Sequence, residues 1–207
     1  MSSQSQLANL NEEQRDALQE LMNVAMGQGA DRLARLTETF VTLSVPRIHA
    51  VDVTNTSLLS QLMIASQPAI ITRQSFLGRL RGEVMVCFGE NGADQLADLM
   101  GYEGVEKHSI QDELMLDVTN ILAGACINGL AQQVDIKVNY GSPSLLSRGR
   151  SLQEALGAEE LRGHQALVLE IHFEVATHSF YCDLLVCITE DTVATVIEVI
   201  DQLLSDI

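Results

Sequence analysis

The chain is expected to fold as a duplicated α+β domain, with a largely antiparallel sheet packed against two long helices. Three observations carry this expectation. Two long segments of helical periodicity match at an offset of 97 positions, so that Leu18, Leu21, Ala25 and Leu33 fall on Met115, Val118, Leu122 and Leu130, all apolar. Each segment is followed by β-rich runs joined by short links, which favours antiparallel pairing. Val86-Cys87 precedes Glu90 and a helical stretch, and Val186-Cys187 precedes Glu190 and another, 100 positions later. Two similar halves, at about 11–104 and 109–207 of a single 207-residue domain, imply a pseudo-two-fold molecule.

The elements follow in order. Residues 1–10 are rich in Ser and Gln and read as loose. Asn11 followed by Glu12 and Glu13 reads as an N-cap with acidic first-turn residues. The spacing predicts a helix over 12–38. The stretch 40–53 is β-rich with a Pro interruption. Strands are expected over 67–75 and 80–88, with a turn at Gly78. A short helix over 90–101 closes the half near Gly101. The second half repeats this order: a helix over 109–133, a β-prone piece from Ile136 to Pro143, strands over 165–175 and 179–188, and a helix over 190–205. The link 141–164 is the most loop-like stretch.

Composition narrows the function. Twelve Lys+Arg against 28 Asp+Glu give a net charge of −16. A nucleic-acid binder needs a basic footprint, and Arg79 with Arg81 or Arg148 with Arg150 are too small to supply one. An anionic membrane surface is disfavoured for the same reason. Hydrophobic residues make up 46% of the chain with Trp absent, so an aliphatic core is expected. Cys87 and Cys187 lie in apolar runs, which fits small buried hydrophobes in a reducing compartment. The opening MSSQSQLANLNEEQ has no basic region followed by an apolar run, and no segment holds 18 consecutive apolar residues. A cytoplasmic protein without a signal peptide or bilayer span is expected.

The chemistry-bearing pattern lies opposite the apolar stripe. At 100° per residue the outward face of helix one holds Asp16, Glu20, Asn23 and Gly27, and helix two repeats this with Glu113, Asp117, Asn120 and Gly124. Glu20 and Asn23, like Asp117 and Asn120, are three apart and therefore neighbours on the helix surface. The chain has three prolines, and two of them, Pro46 and Pro143, each lie 23 positions after Asn23 and Asn120.

This pattern resembles the CheC/CheX/FliY phosphatase family, whose motif is Asp or Ser, three residues, Glu, two residues, Asn, 22 residues, Pro. The first copy is complete in Asp16, Glu20, Asn23 and Pro46. The second, Glu113, Asp117, Asn120 and Pro143, keeps Asn and Pro but has Asp where Glu is expected and Glu where Asp or Ser is expected. The resemblance covers nearly the whole chain. Two motif copies, with no added C-terminal switch domain, resemble the CheC branch most.

The resemblance implies a protein aspartyl-phosphate phosphatase acting on a CheY-like response regulator. Asn23 and Asn120 would orient an in-line water, while Glu20 and Asp117 would engage the regulator's active-site Lys. Asp16, Pro46, Glu113 and Pro143 support these positions. An amide suits the task, since it can both donate and accept and does not repel phosphoryl oxygens as a carboxylate would. Gly27 and Gly124 would let a partner backbone approach closely. No cofactor of its own is expected, the Mg²⁺ being carried by the partner receiver. The competing reading is a non-catalytic adaptor that binds CheD or a receiver domain. A metal site built from His172, His178, Cys182 and Cys187 is not expected, because those residues lie on predicted strands without a paired C-x₂-C spacing. His49 reads as an ordinary partly buried residue.

Overall fold

The structure is a computed structural model that describes residues 10–52, 67–133, 136–156, 165–175, 180–188 and 190–205. The first half comprises α1 (Glu12–Thr37), β1 (Val41–Leu43), β2 (Arg47–Asp52), β3 (Ala69–Gly78), β4 (Gly82–Gly89) and α2 (Gly92–Leu99). The second comprises α3 (Gly104–Gln133), β5 (Val138–Tyr140), β6 (Ser144–Arg150), α4 (Leu152–Leu156), β7 (Gln165–Val175), β8 (Tyr181–Ile188) and α5 (Glu190–Ser205).

Helix α1 starts where its cap chemistry says it should. The Asn11 side chain accepts from the Gln14 backbone N–H at 2.8 Å, and Gln14 Oε1 accepts from the Asn11 N–H at 3.0 Å, a reciprocal capping box. Leu18, Met22, Ala25, Met26, Ala30 and Leu33 are buried along one stripe. Helix α3 starts at Gly104, about five residues before the expected start at 109. It is long and apolar enough to cross a bilayer. Here, though, Leu114, Met115, Val118, Leu122 and Cys126 are buried in the common core, so its apolar surface is spent on packing within the domain.

Six strands lie in the order β1-β7-β8-β4-β3-β5, with β2 also pairing β7 and β6 also pairing β3. Every strand pair among the described residues is antiparallel. The first strands of each half therefore pair with the other half, and the registers match. Val41 opposes Val175 while Val138 opposes Gly78, and Leu43 opposes Phe173 while Tyr140 opposes Phe76. Each partner is displaced by the same 97 positions that relate the two long helices. In the central ladder Met85 opposes Leu185, its own counterpart at the offset of 100, and the two halves meet at this pair.

Strands β4 and β8 are buried along nearly their whole length. Val84, Val86, Phe88, Cys182, Leu184 and Val186 join the helices in one core, while Met85, Cys87 and Leu185 alternate onto the other face and are buried too. Fully burying side chains of this size contributes about 1.5–3 kcal/mol each. Helices α1 and α3 cross antiparallel through small residues: a Cβ on Gly129 would meet Ala25, and one on Gly29 would meet Ala125.

The link 141–164 differs from its expectation as a loop. Residues 144–150 form β6, and 152–156 form α4. The reason is tertiary: β3 offers a free edge beyond β5, and β6 pairs with it despite its polar sequence, with register shifts around Ile70 and Ile71. Gly78 is the last residue of β3 rather than the turn itself. Its φ of +148° and the Lys137 carbonyl, which would lie 2.8 Å from an added Cβ, explain why glycine stands there. Of residues 1–10, only Leu10 lies within the described residues, and it is buried. His178 lies outside the described residues, as does the side chain of His49.

Candidate functional site

The two outward helix faces carry the expected residues. On α1, Asp16, Glu20 and Gly27 are exposed and Asn23 is half-buried. On α3, Glu113, Asp117 and Asn120 are exposed and Gly124 is half-buried. An added Cβ on Gly27 or Gly124 would meet nothing within 4 Å, so both glycines leave open space beside their Asn. Val24 shares the α1 face and is 48% exposed.

The proline-bearing loops occupy equivalent places. The Ser44 N–H donates to the His172 carbonyl at 2.9 Å, and the Gly141 N–H donates to the Ser75 carbonyl at 3.0 Å, again partners 97 apart. Each bond pins a loop to the neighbouring strand two residues before its proline. Pro46 is buried and Pro143 half-buried. In the second half the loop is also tied to the helix. Gln74 Nε2 donates both to Asn120 Oδ1 and to the Gly141 carbonyl, each at 2.9 Å. Asn120 and the loop leading to Pro143 are thereby brought together, across 23 residues of sequence. Among the described residues the Asn23 side chain makes no hydrogen bond.

Further polar contacts lie near site two. Thr72 Oγ1 and Thr119 Oγ1 are 2.6 Å apart and buried, and Thr119 Oγ1 also donates to the Met115 carbonyl at 2.7 Å. At the surface, Arg148 on β6 pairs with Asp112 in the N-terminal half of α3. Sequence reasoning missed Thr72, Gln74 and Thr119. Their signal, two polar residues in the alternating row Ile70, Thr72, Gln74, Phe76, shows only once that row is known to face the core.

Of the four residues weighed as a metal site, His172, Cys182 and Cys187 lie within the described residues. Cys182 and Cys187 are an odd number of positions apart on β8 and so face opposite sides of the sheet. His172 Nδ1 instead lies 3.1 Å from Asp183 Oδ1. Burial pushes the Cys182 and Cys87 thiols up, and the carboxylate of Asp183 adds to this.

No protein-family sequence model matches the chain. Solved structures do. FliY from Thermotoga maritima superposes with a TM-score of 0.68 at 17% identity, covering 94% of this chain and 98% of that one. The CheX–CheY–BeF₃–Mg²⁺ complex from Borrelia burgdorferi gives 0.55 at 11% identity, covering 82% and 97%. A FliG–FliM complex from H. pylori gives 0.57 at 9% identity, covering 91% and 100%. The chain thus has the α+β fold of CheC-like proteins, an antiparallel sheet packed against long helices. The matches spread over FliY, CheX, CheC-like proteins and a FliG–FliM complex, and do not single out the CheC branch to which the two motif copies point.

Proposed function

We propose that this chain is a phosphatase for the phospho-aspartate of a CheY-like response regulator. One observation carries the reading. An acidic residue and an Asn three positions on stand on the outward faces of two helices related by one offset, each followed 23 residues later by a proline in an equivalently pinned loop. A merely solvated face has no reason to be repeated with its loop. The likeness to a CheX–CheY complex holding BeF₃ and Mg²⁺ supports the partner class, since BeF₃ has the shape and charge of a phosphoryl group.

The chemistry asked of the chain is positioning. Asn23 or Asn120 orients a water in line with the acyl phosphate. The water oxygen forms the new P–O bond, the bond to the receiver's aspartate oxygen breaks, and the water's proton passes to solvent as inorganic phosphate leaves. Glu20 or Asp117 engages the receiver's Lys, and the Mg²⁺ belongs to the receiver.

The test is the rate of phosphate loss from a phosphorylated CheY-type receiver with Mg²⁺. It compares the unsubstituted chain, Asn23→Ala, Asn120→Ala and the double variant. Acceleration by the unsubstituted chain, abolished in the double variant, is expected. No acceleration with several receivers, with or without a CheD-type partner, would leave the adaptor reading. The observation behind that second reading is Asp117 at site two, one methylene shorter than the motif's Glu. An adaptor would hold CheD, a receiver, or a flagellar partner of the kind seen in the FliG–FliM complex.

A further inference from the structure

Gln74 is buried to 2% exposure in the core-facing row of β3. Its Nε2 spends both protons, on Asn120 Oδ1 and on the Gly141 carbonyl. Its Oε1 is buried with no hydrogen-bond partner. Burying an amide with one atom unpaired is unfavourable, so a purely structural position would favour an apolar side chain. The other half has one. The ladders make Arg73 equivalent to Glu170 and Phe76 equivalent to Phe173, and so put Ile171 where Gln74 stands. The scaffold therefore does not require an amide at this place in the sheet.

Chemistry also fixes the sense of the contact. The Gly141 carbonyl can only accept, so the Gln74 atom shared by both partners is Nε2. The Asn120 atom facing it must then be Oδ1, since two amide NH₂ groups cannot pair. Nδ2 is left on the exposed side of Asn120, with neither proton donated to another described residue.

We propose that Gln74 is the positioning residue of site two. It holds the Asn120 amide with Oδ1 inward and the NH₂ group outward, so that site two offers a donor to an oxygen acceptor on the partner or its water. Among the described residues the Asn23 side chain at site one has no such hydrogen bond. The catalytic consequence rests on the phosphatase reading above, whereas the restraint itself does not.

Two measurements on the full chain test this. In side-chain amide NMR, the Asn120 NH₂ pair is expected to be rigid and to become motionally averaged in Gln74→Ile, with the Asn23 pair unchanged. An Asn120 pair already averaged in the unsubstituted chain, or unaltered in the variant, overturns the proposal whatever the chain's activity. In phospho-receiver assays, Gln74→Ile in the Asn23→Ala background is expected to lower kcat roughly tenfold at unchanged KM, as loss of one orienting hydrogen bond would. In the Asn120→Ala background it should change nothing. Equal slowing in both backgrounds would mean a structural role and overturn the proposal. Gln74→Met, which keeps the length without the donor, should reproduce each result if Gln74→Ile folds poorly. If the unsubstituted chain lacks phosphatase activity, that reading fails and the NMR result alone decides the role of Gln74.

Discussion

Ala25 on α1 and Gly129 on α3 meet where the two long helices cross, and a Cβ on Gly129 would lie 2.2 Å from that of Ala25 and 2.7 Å from its Cα. No rotamer change relieves such a contact, because backbone is involved. Gly129→Ala must therefore push the helices apart, at about 1–3 kcal/mol or more. It gains back less than about 1 kcal/mol of helix propensity. A clear drop in the urea unfolding midpoint is expected, and a variant as stable as the parent would show that the helices do not cross so closely.

Gly27 and Gly124 make the opposite case. Both sit within helices with nothing near a would-be Cβ, so replacing either with Ala should stabilise the chain by about 0.5–1 kcal/mol. If these glycines keep the face clear for a receiver, the same substitutions slow phosphate loss while raising Tm. Stabilisation with an unchanged rate would remove them from the partner's footprint.

Much of this was legible in the sequence. The cap at Asn11, the extent of α1 and the alternation of the helix faces follow from local rules. The offsets of 97 and 100 recur in the strand registers, including the Met85–Leu185 pair at the centre of the sheet, although the sequence alone does not say which strands pair. What escaped depends on partners distant in sequence. Strand β6 reads as a loop because Ser144, Ser147, Arg148 and Gly149 have little strand preference, and only the edge of β3 orders them. The link from Gln74 to Asn120 spans 46 positions, and a buried Gln announces itself only once β3 has a face.

The buried thiols and one phenol make the fold sensitive to alkali. Burial pushes the Cys126 thiol up and raises Cys187 to about 12, with the Glu83 charge adding to the latter. Burial likewise raises the Tyr140 phenol, which donates to Asn128 Oδ1, to about 12. A folded pKa above the unfolded one means that the native chain holds its proton longer. Stability is then full below the unfolded value and is lost as pH rises towards the folded one. For the thiols this decline starts near pH ~8.5 and for the phenol near pH ~10. The unfolding midpoint should fall steadily above those values, and Tyr140→Phe should flatten the upper part of the curve. A midpoint constant from about pH 8 to 11 would contradict the buried, protonated state of these groups.

The acidic residues set the two sites apart. Glu20 and Asp117 occupy equivalent exposed places on α1 and α3, differing by one methylene. On the proposed reading a receiver's ammonium has to reach across that difference, and a displacement of about 1 Å in a positioned complex is enough to cost one to two orders of magnitude in rate. Asp117→Glu in the Asn23→Ala background should therefore speed site two, by roughly tenfold if reach is what limits it. Glu20→Asp in the Asn120→Ala background should slow site one by a similar factor. Neither change should alter stability by more than about 0.5 kcal/mol, because both side chains are in solvent. If instead Asp117→Glu slows site two, then the second half has adapted its helix to the shorter acid. Its Asn120, held by Gln74, would then serve a receiver seated differently from the one at site one.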